Sequence, residues 1–188
     1  MGRWEPDAAG RLRRAAAELF GEQGLEATTV AAIAERAGVT ERTFFRYFAD
    51  KREVLFSDQE KFAAIFIDGV HSAPPDASAL DAVAAGLYAS LELFQPERRA
   101  DSRIRNMVIA ANPGLQEREL LKMAGVADGM AAALRDRGVA EPSASIAARA
   151  GIAVLTSAFA AWLSDGETRE LPELIAEGLT QLRALGGA

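Results

Sequence analysis

Apolar residues recur along this chain with the spacing of an α-helix, and no other feature constrains its fold as strongly. Near the start of the chain they fall at i, i+3, i+4, i+7 and i+8, which places them on one helical face. These residues are Leu12, Ala15, Ala16, Leu19 and Phe20. Similar segments follow as far as Leu182, and glycine, proline, serine and threonine separate them at positions typical of helix ends. Because alanine is abundant and β-branched runs are scarce, the sequence predicts an all-α fold of about nine helices.

The residue content excludes several kinds of site. The 188 residues contain no cysteine and one histidine, His71. This excludes a disulfide framework, a cysteine nucleophile, a zinc-thiolate site and a multi-histidine metal site, and we expect no metal or other cofactor. No segment approaches 18 apolar residues, and the N-terminus lacks the pattern of a signal peptide. We therefore expect a soluble, cytoplasmic protein without a membrane partner.

The net charge of −6 argues weakly against a nucleic-acid partner, but its distribution weakens that objection. Residues 1–55 carry equal numbers of basic and acidic side chains, so the acidic excess lies entirely beyond them. A basic face in this N-terminal part can still bind phosphates.

Two short helices joined by the turn Ala37-Gly38-Val39 are predicted within residues 29–48. Glycine permits a tight turn that sets two helices at a steep angle. Thr40 caps the second helix, and polar side chains follow in its first turn, where a recognition helix contacts base edges. The pattern is typical of a helix-turn-helix that binds DNA. The same turn also joins short helices in other helical proteins, so the turn alone leaves both readings open.

The pattern extends well beyond this turn. It includes Leu19-Phe20, Gly24, Thr28-Thr29-Val30, Ile33-Ala34, Thr43-Phe44-Phe45-Arg46-Tyr47-Phe48, Lys51 and Leu55. In this spacing the stretch closely resembles the N-terminal domain of the tetracycline-repressor (TetR) family. The resemblance implies a homodimeric transcriptional regulator, usually a repressor, whose subunits each supply one helix-turn-helix to a pseudo-palindromic operator in double-stranded DNA. It also implies that a small-molecule effector in the C-terminal core changes the spacing of the two DNA-binding heads.

By position, the resemblance implies which side chains contact DNA. The implied DNA-binding set is Thr29, Thr40, Glu41, Arg42, Thr43, Arg46, Tyr47 and Lys51. Many members have tyrosine where this chain has Phe45, so the phosphate contact of that hydroxyl is not expected here. Arg3, in the arm before the first helix, is a candidate for a minor-groove contact. The implied domains are residues 1–52 for DNA binding and residues 53–188 for ligand binding and dimerisation.

Large apolar side chains from several predicted helices are candidates for a ligand cavity. Aromatic and methionine side chains line adaptable apolar sites, but they also fill ordinary cores, and the sequence does not separate the two. The family resemblance favours a cavity somewhere among them. The predicted pocket residues are Phe62, Phe66, Leu87, Tyr88, Leu91, Met107, Met123, Met130, Phe159 and Trp162.

Three further segments are Arg103-Ile-Arg-Asn-Met107, Asn112-Pro-Gly-Leu115 and Ala160-Ala-Trp162. They resemble a subgroup of the family whose C-terminal domains bind acyl-CoA-like ligands. The resemblance implies an effector with a long apolar chain and a charged headgroup that meets Arg98, Arg99, Arg103 or Arg105. The alternative is that these arginines lie on a solvated helix face and form ion pairs.

The eighth predicted helix is apolar on all sides, which requires burial on all sides. One face can pack in the monomer core, and a stripe of small residues allows close approach of a partner subunit. The alternative is that this is simply the central helix of the core. The predicted dimer interface comprises Ala150, Val154, Ser157, Ala158, Ala161, Leu179 and Leu182.

A soluble helical carrier or enzyme is the alternative class of function. The chain shows no Gly-rich phosphate loop and no pair of acid–base residues that the sequence places in a cavity. We therefore expect no enzyme. The segment from Thr28 to Lys51 also argues against this class, because an enzyme has no use for it.

Overall fold

The computed structural model describes residues 7–186, so the candidate Arg3 lies outside the described residues. Within that range the regular secondary structure is entirely helical, which confirms the all-α prediction. The α-helices are α1 (Ala8–Ala27), α2 (Val30–Arg36), α3 (Glu41–Tyr47), α4 (Gln59–Ser72), α5 (Ala79–Ala89), α6 (Arg99–Ala110), α7 (Pro113–Asp136), α8 (Ser143–Leu163) and α9 (Leu171–Gly186). Short 3-10 helices occupy Glu53–Phe56, Ser90–Leu93 and Pro96–Arg98.

The start of α4 differs from the sequence prediction. The sequence predicts a helix from residue 51 capped by Asp50, but α4 begins only at Gln59. Asp50 Oδ1 does accept from the backbone N–H groups of Arg52 and Glu53, at 2.7 and 3.0 Å, yet it caps only a 3-10 turn. The chain then passes through Asp58 with a φ of 62°, a left-handed conformation that an α-helix cannot contain.

The start of α8 also differs from the prediction. The sequence predicts Ser143 as the cap of this helix, but Ser143 is its first residue. The carboxylate of Glu141 accepts instead from the backbone N–H of Ser145 at 3.2 Å and from its hydroxyl at 2.9 Å. The Ser145 hydroxyl and the nearby Arg135 guanidinium hold the pKa of Glu141 below its usual range. The carboxylate of Glu141, four residues before Ser145, thus takes the place of the predicted serine cap.

The described chain forms two compact units. The first comprises the chain up to Asp58 together with Ala100–Glu117, and the second comprises Gln59–Arg99 together with the chain from Arg118 onward. The predicted boundary between residues 52 and 53 divides the chain into two consecutive domains, whereas the first unit also includes the later segment Ala100–Glu117. The assignment of DNA binding to residues 1–52, and of ligand binding and dimerisation to residues 53–188, stays a prediction.

The core of the first unit joins α1, α2 and α3 around fully buried Leu12, Ile33 and Phe44. The helical periodicity of the sequence predicts these inward faces. The end of α6 and the first turn of α7 add Val108 and Leu115 to the same core. Helices α1, α2 and α3, which we call the head, are therefore held by a segment more than 40 residues further along the chain.

The core of the second unit is built from α4, α5, α7, α8 and α9. Its largest fully buried side chains include Phe66, Leu87, Met130 and Trp162. Helices α4 and α5 approach so closely that a Cβ on Gly69 would lie 2.7 Å from the Cα of Gly86. This contact depends on glycine in both helices, because any side chain there would overlap the partner backbone.

Helix α8 has the length and mean hydropathy of a membrane-spanning segment. Ala148, Leu155 and Trp162 on this helix are buried in the core of the second unit. A helix that forms the centre of a soluble core has the same composition. Burial therefore accounts for the apolar character of the inner face of α8, which is the smaller part of the helix.

Candidate nucleic-acid interface

The turn after α2 has the hydrogen bonds of a Schellman motif. The N–H of Val39 donates to the carbonyl of Ala34 at 2.9 Å, and the N–H of Gly38 donates to the carbonyl of Glu35 at 3.0 Å. Gly38 has a φ of 68°, a left-handed conformation that costs glycine no steric strain. The sequence signal for the turn therefore corresponds to a defined local structure.

Two threonines of the predicted DNA-binding set cap helices. Thr29 Oγ1 accepts from the N–H of Ala32 at 3.1 Å, and Thr40 Oγ1 accepts from the N–H of Thr43 at 3.2 Å. The hydroxyl oxygens of Thr40 and Thr43 also lie 3.1 Å apart. A hydroxyl that accepts in a cap keeps its own proton, so these threonines can still donate to a phosphate.

Helix α3 has an aromatic inner face and a polar outer face. Phe44 and Phe48 are buried in the head, with ring centroids 5.5 Å apart. Glu41, Arg42 and Arg46 are exposed on the other side of the helix. A recognition helix needs this orientation, because its polar residues must reach base edges while the helix stays packed on the head.

The two arginines of α3 differ in their surroundings. Among the described residues Arg42 has no polar side-chain partner, so its five donors face solvent. Arg46 Nη2 donates to the hydroxyl of Tyr47 at 3.1 Å, and its guanidinium carbon lies 4.9 Å from the centre of that ring. Arg42 is ready for bidentate contact with a base, while Arg46 and Tyr47 form a paired cationic and hydroxyl group beside it.

The structure assigns Lys51 a different position from the one the sequence suggested. Its Nζ donates to the backbone carbonyls of Leu25, Glu26 and Thr28, at 2.7, 3.1 and 2.9 Å. The sequence predicts that Lys51 lies at the N-terminus of the fourth helix, where backbone N–H groups attract a phosphate, but no α-helix begins at residue 51. Lys51 instead donates to carbonyls that have no helical N–H partner because α1 ends at Ala27.

Several charged residues that the sequence analysis did not select hold the head together. Arg36 makes a bidentate contact with Glu22 at 2.9 and 3.0 Å, which joins α2 to α1. This hydrogen-bonded guanidinium lowers the pKa of Glu22. Arg11 Nε donates to the carbonyl of Ala37 at 3.1 Å and so fixes the turn before α3. No periodicity in the sequence marks these pairs, because their partners lie 14 or more residues apart.

Two arginines predicted for an effector headgroup bind backbone carbonyls instead. In the second unit, Arg99 donates to the carbonyls of Trp162 and Glu167 at 2.8 and 2.7 Å. In the first unit, Arg105 Nε donates to the carbonyl of Leu55 at 3.2 Å and lies over the ring of Phe56. Both arginines connect α6 to distant segments of their own units.

Eight of the ten predicted pocket residues lie in or against the core of the second unit, and two do not. Tyr88 is 42% exposed on α5, and Met107 is 56% exposed on a part of α6 that belongs to the first unit. Neither side chain packs against that core, and their place in a ligand pocket stays a prediction. Helical spacing predicts which residues share a face, but it does not reveal which neighbouring element covers that face.

The four other aromatic residues of the predicted pocket form a continuous row with Phe94 in the second unit. Consecutive ring centroids lie 5.2 to 6.4 Å apart along Phe66, Phe62, Phe94, Phe159 and Trp162. Trp162 is fully buried, and its indole Nε1 has no hydrogen-bond acceptor among the described residues. A buried donor without an acceptor is costly.

An open groove of about 380 Å³ lies beside this row, between α4 and α7. Its lining includes Gln59 and Ala63 from the start of α4, and Leu121 and Lys122 from α7. The side chain of Lys122 is only 9% exposed, and its Nζ lies 2.7 Å from Glu119 Oε1. The sequence gives no signal for this groove, because none of its lining residues is aromatic.

The predicted dimer residues fall on two sides of α8 and α9. Val154, Ala158 and Leu179 are buried in the core of the monomer, so their assignment to a dimer interface is corrected. Close packing within the chain explains this, because a Cβ on Gly178 would lie 2.9 Å from the side chain of Val154. Ser157 is exposed, and Ala150, Ala161 and Leu182 are half-buried. The exposed face of α8 carries further small residues, Ala153 and Ala160.

Two family models match this chain. Residues 12–57 match the model described as bacterial regulatory proteins, tetR family, and residues 77–185 match that of the MftR C-terminal domain. A curated relative, the HTH-type transcriptional regulator TcmR of Streptomyces glaucescens, is 40% identical over 81 residues. That alignment covers 43% of this chain and 36% of the relative, so the likeness spans about a third of the relative's length.

Solved structures share the fold over nearly the whole chain. SmeT, the repressor of the Stenotrophomonas maltophilia multidrug efflux pump SmeDEF, is 23% identical with a TM-score of 0.63, covering 94% of this chain and 89% of SmeT. The transcriptional regulator FadR of Bacillus subtilis, in complex with stearoyl-CoA, is 18% identical with a TM-score of 0.66. This match covers 92% of this chain and 96% of FadR. At sequence identities this low, the structural similarity shows a shared fold and nothing beyond it.

Proposed function

Because the chain belongs to the TetR family of bacterial regulatory proteins, we propose that it is a cytoplasmic, DNA-binding transcriptional repressor without enzymatic activity. It binds a pseudo-palindromic operator as a homodimer, and a small apolar or acyl-type effector releases it. The observation that carries the proposal is the polar outer face of α3, fixed on the head by the Schellman turn and by buried Phe44. With two such helices per dimer, half-sites are expected about 34 Å apart.

The exposed face of α8 supports the proposed dimer. Ala153, Ser157 and Ala160 lie about one helical turn apart on that face, and small side chains allow two helices to approach closely. We expect Ala153→Arg to convert the dimer to a monomer in size-exclusion chromatography with light scattering. The matched control is Ala124→Arg on the exposed surface of α7, which is expected to leave the dimer intact. A dimer that survives Ala153→Arg would place the interface elsewhere.

The core of the second unit supports an apolar effector with an oxygen acceptor. The aromatic row gives an apolar wall, and Trp162 Nε1 offers a buried hydrogen-bond donor at its end. The stearoyl-CoA bound to the FadR neighbour makes a long acyl chain the first candidate. To release the operator, the effector must favour the non-binding conformation by a few kcal/mol.

Chain connectivity suggests how binding of the effector in the second unit changes the position of the DNA-binding helices. Helix α4 starts at Gln59, directly after the last residue of the first unit, and its first turn lines the groove beside Lys122. The chain enters the first unit again at Ala100–Glu117 through α6 and α7. Helix α7 runs without a break from the first unit into the second, so a shift of α7 is the route we propose from the effector to the helix-turn-helix. Helix α4 is joined to the first unit only through the left-handed turn at Asp58.

Fluorescence anisotropy of the full chain with labelled DNA from upstream of its own gene tests the proposal. We expect tight binding that weakens steeply with salt and that a long-chain acyl-CoA abolishes. Arg42→Ala should cost about 1–3 kcal/mol of specific binding if Arg42 reads a base. Arg135→Ala, on an exposed part of the second unit, is the matched control and is expected to bind normally.

The outcomes separate the parts of the proposal. Binding that ignores the acyl-CoA would retain the repressor and reject the acyl-type effector. Equal affinity for upstream and random DNA, together with stoichiometric capture or turnover of a small molecule, would favour a carrier or an enzyme.

A further inference from the structure

Phe45 is an apolar side chain on the outer face of α3 that the packing of the head does not explain. It is 55% exposed, whereas its neighbours Phe44 and Phe48 are buried. Its ring touches Phe44 only edge-on, with the centroids 5.5 Å apart. The head therefore gains little from a phenylalanine at this position, and a large apolar ring faces solvent on the helix that carries Arg42.

The position of Phe45 on α3 places it among the residues that face a major groove. It follows Glu41 by four residues and Arg42 by three, and residues with these spacings are neighbours on a helix surface. Both belong to the first turn of α3, the part of a recognition helix that contacts base edges. The ring of Phe45 thus extends the surface that Arg42 would present to DNA.

The chemistry of the ring limits what it can recognise there. Phenylalanine has no hydrogen-bonding group, so it can neither donate to a phosphate nor pair with the polar edge of a base. In the major groove, the apolar group that distinguishes one base from the others is the C5 methyl of thymine. We propose that Phe45 is a specificity-determining residue that packs on a thymine methyl in each half-site of the operator.

This inference rests on the proposed operator binding and assigns one base position within it. Tyr47 serves as a contrast, because its hydroxyl pairs with Arg46 and suits a phosphate contact that carries no sequence information. Loss of the Tyr47 hydroxyl should therefore weaken binding to all duplexes alike, whereas loss of the Phe45 ring should matter only where a thymine methyl is present.

Deoxyuridine isolates the methyl group, because it differs from thymidine only by that group. A high-affinity operator is first selected from a randomised duplex pool with the full-length protein. Each thymine is then replaced singly by deoxyuridine, and affinities are measured by anisotropy. We expect one thymine per half-site whose replacement weakens binding about fourfold, the factor for burying one methylene-sized group.

A double-mutant cycle assigns this effect to Phe45. Phe45→Ala should bind the thymine and deoxyuridine duplexes equally, Phe45→Leu should retain part of the difference, and Tyr47→Phe should retain all of it. Since Phe45 is exposed, its variants should melt like the parent protein. A fourfold effect that persists in Phe45→Ala, or the absence of any sensitive thymine, would overturn the inference while leaving operator binding intact. Selection that enriches no sequence would overturn operator binding itself and the inference with it.

Discussion

Gly24 and Gly38 both have positive φ, but their different backbone conformations predict different tolerance to substitution. Gly38 has a φ of 68° in the turn before α3, a left-handed conformation that asparagine also adopts. Gly24 has a φ of 81° and a ψ of 166°, a region that only glycine occupies readily. A Cβ at either position would meet no atom within 4 Å beyond the adjacent residues, so a substitution changes backbone energy and not packing.

The expected magnitudes follow from these conformations. Gly38→Ala should destabilise the protein by about 1–2 kcal/mol, the cost of a left-handed conformation for an ordinary residue. In Gly38→Asn this cost is small and is offset by the lower entropy of the unfolded chain, so we expect a change near zero. At Gly24, alanine and asparagine should both cost about 1–3 kcal/mol, because asparagine has no advantage in this region.

Urea unfolding followed by far-UV circular dichroism, at one protein concentration, measures all four variants. Each kcal/mol should also lower the Tm by roughly 2–4 °C in a chain of this length. The decisive comparison is the rescue by asparagine, which should occur at Gly38 and not at Gly24. Equal rescue at both positions, or a Gly24→Ala variant as stable as the parent protein, would refute the argument from backbone conformation.

Three further predictions test other contacts. Lys51→Met should lower the free energy of unfolding by about 1.5–3 kcal/mol through loss of charge-assisted hydrogen bonds. The slope of the logarithm of DNA affinity against the logarithm of salt concentration should stay the same. A slope reduced by about one would show that Lys51 contacts a phosphate. Gly69→Ala should lower the free energy of unfolding by about 1–3 kcal/mol, because its Cβ would overlap Gly86. Gly125→Ala has open space around its Cβ and should raise the free energy of unfolding by up to about 1 kcal/mol in the same urea titration. Arg169 lowers the pKa of Glu167 to about 2 from its usual 4.5. This pair therefore stabilises the fold above pH 4.5 and loses its effect as the pH falls toward 2. The difference in Tm between the parent protein and Arg169→Met should shrink between pH 7 and pH 3.

The sequence predicts the head better than the rest of the protein, because the signals there are local. The caps at Thr29 and Thr40 and the turn at Gly38 each involve residues no more than five positions apart. Helical periodicity also predicts the inward faces of the helices. Lys51 was not predictable in this way, because the carbonyls to which it donates lie 23 to 26 residues earlier, at the end of α1.

Helix α8 shows why the second unit was harder to predict. Its sequence is apolar on all sides, so periodicity does not indicate which side packs in the core of the monomer and which side is exposed. Only the packing against α9, where Gly178 approaches Val154, assigns Val154 and Ala158 to the core. Small residues therefore have two uses on this helix, close packing within the chain and an exposed face for a partner.

The distribution of charge in the N-terminal helices explains how a segment without net charge can still present a cationic surface on α3. Arg36 is paired with Glu22, Arg13 with Asp58, and Lys51 is bound to backbone carbonyls. These internal contacts neutralise much of the charge that the sequence counts, and they do so inside the head or along its sides. Within residues 7–186 Arg42 keeps its full donor set toward solvent, so the recognition helix remains cationic although the segment as a whole is balanced. The partition between paired and free charges, and not their sum, therefore decides which face can bind phosphates.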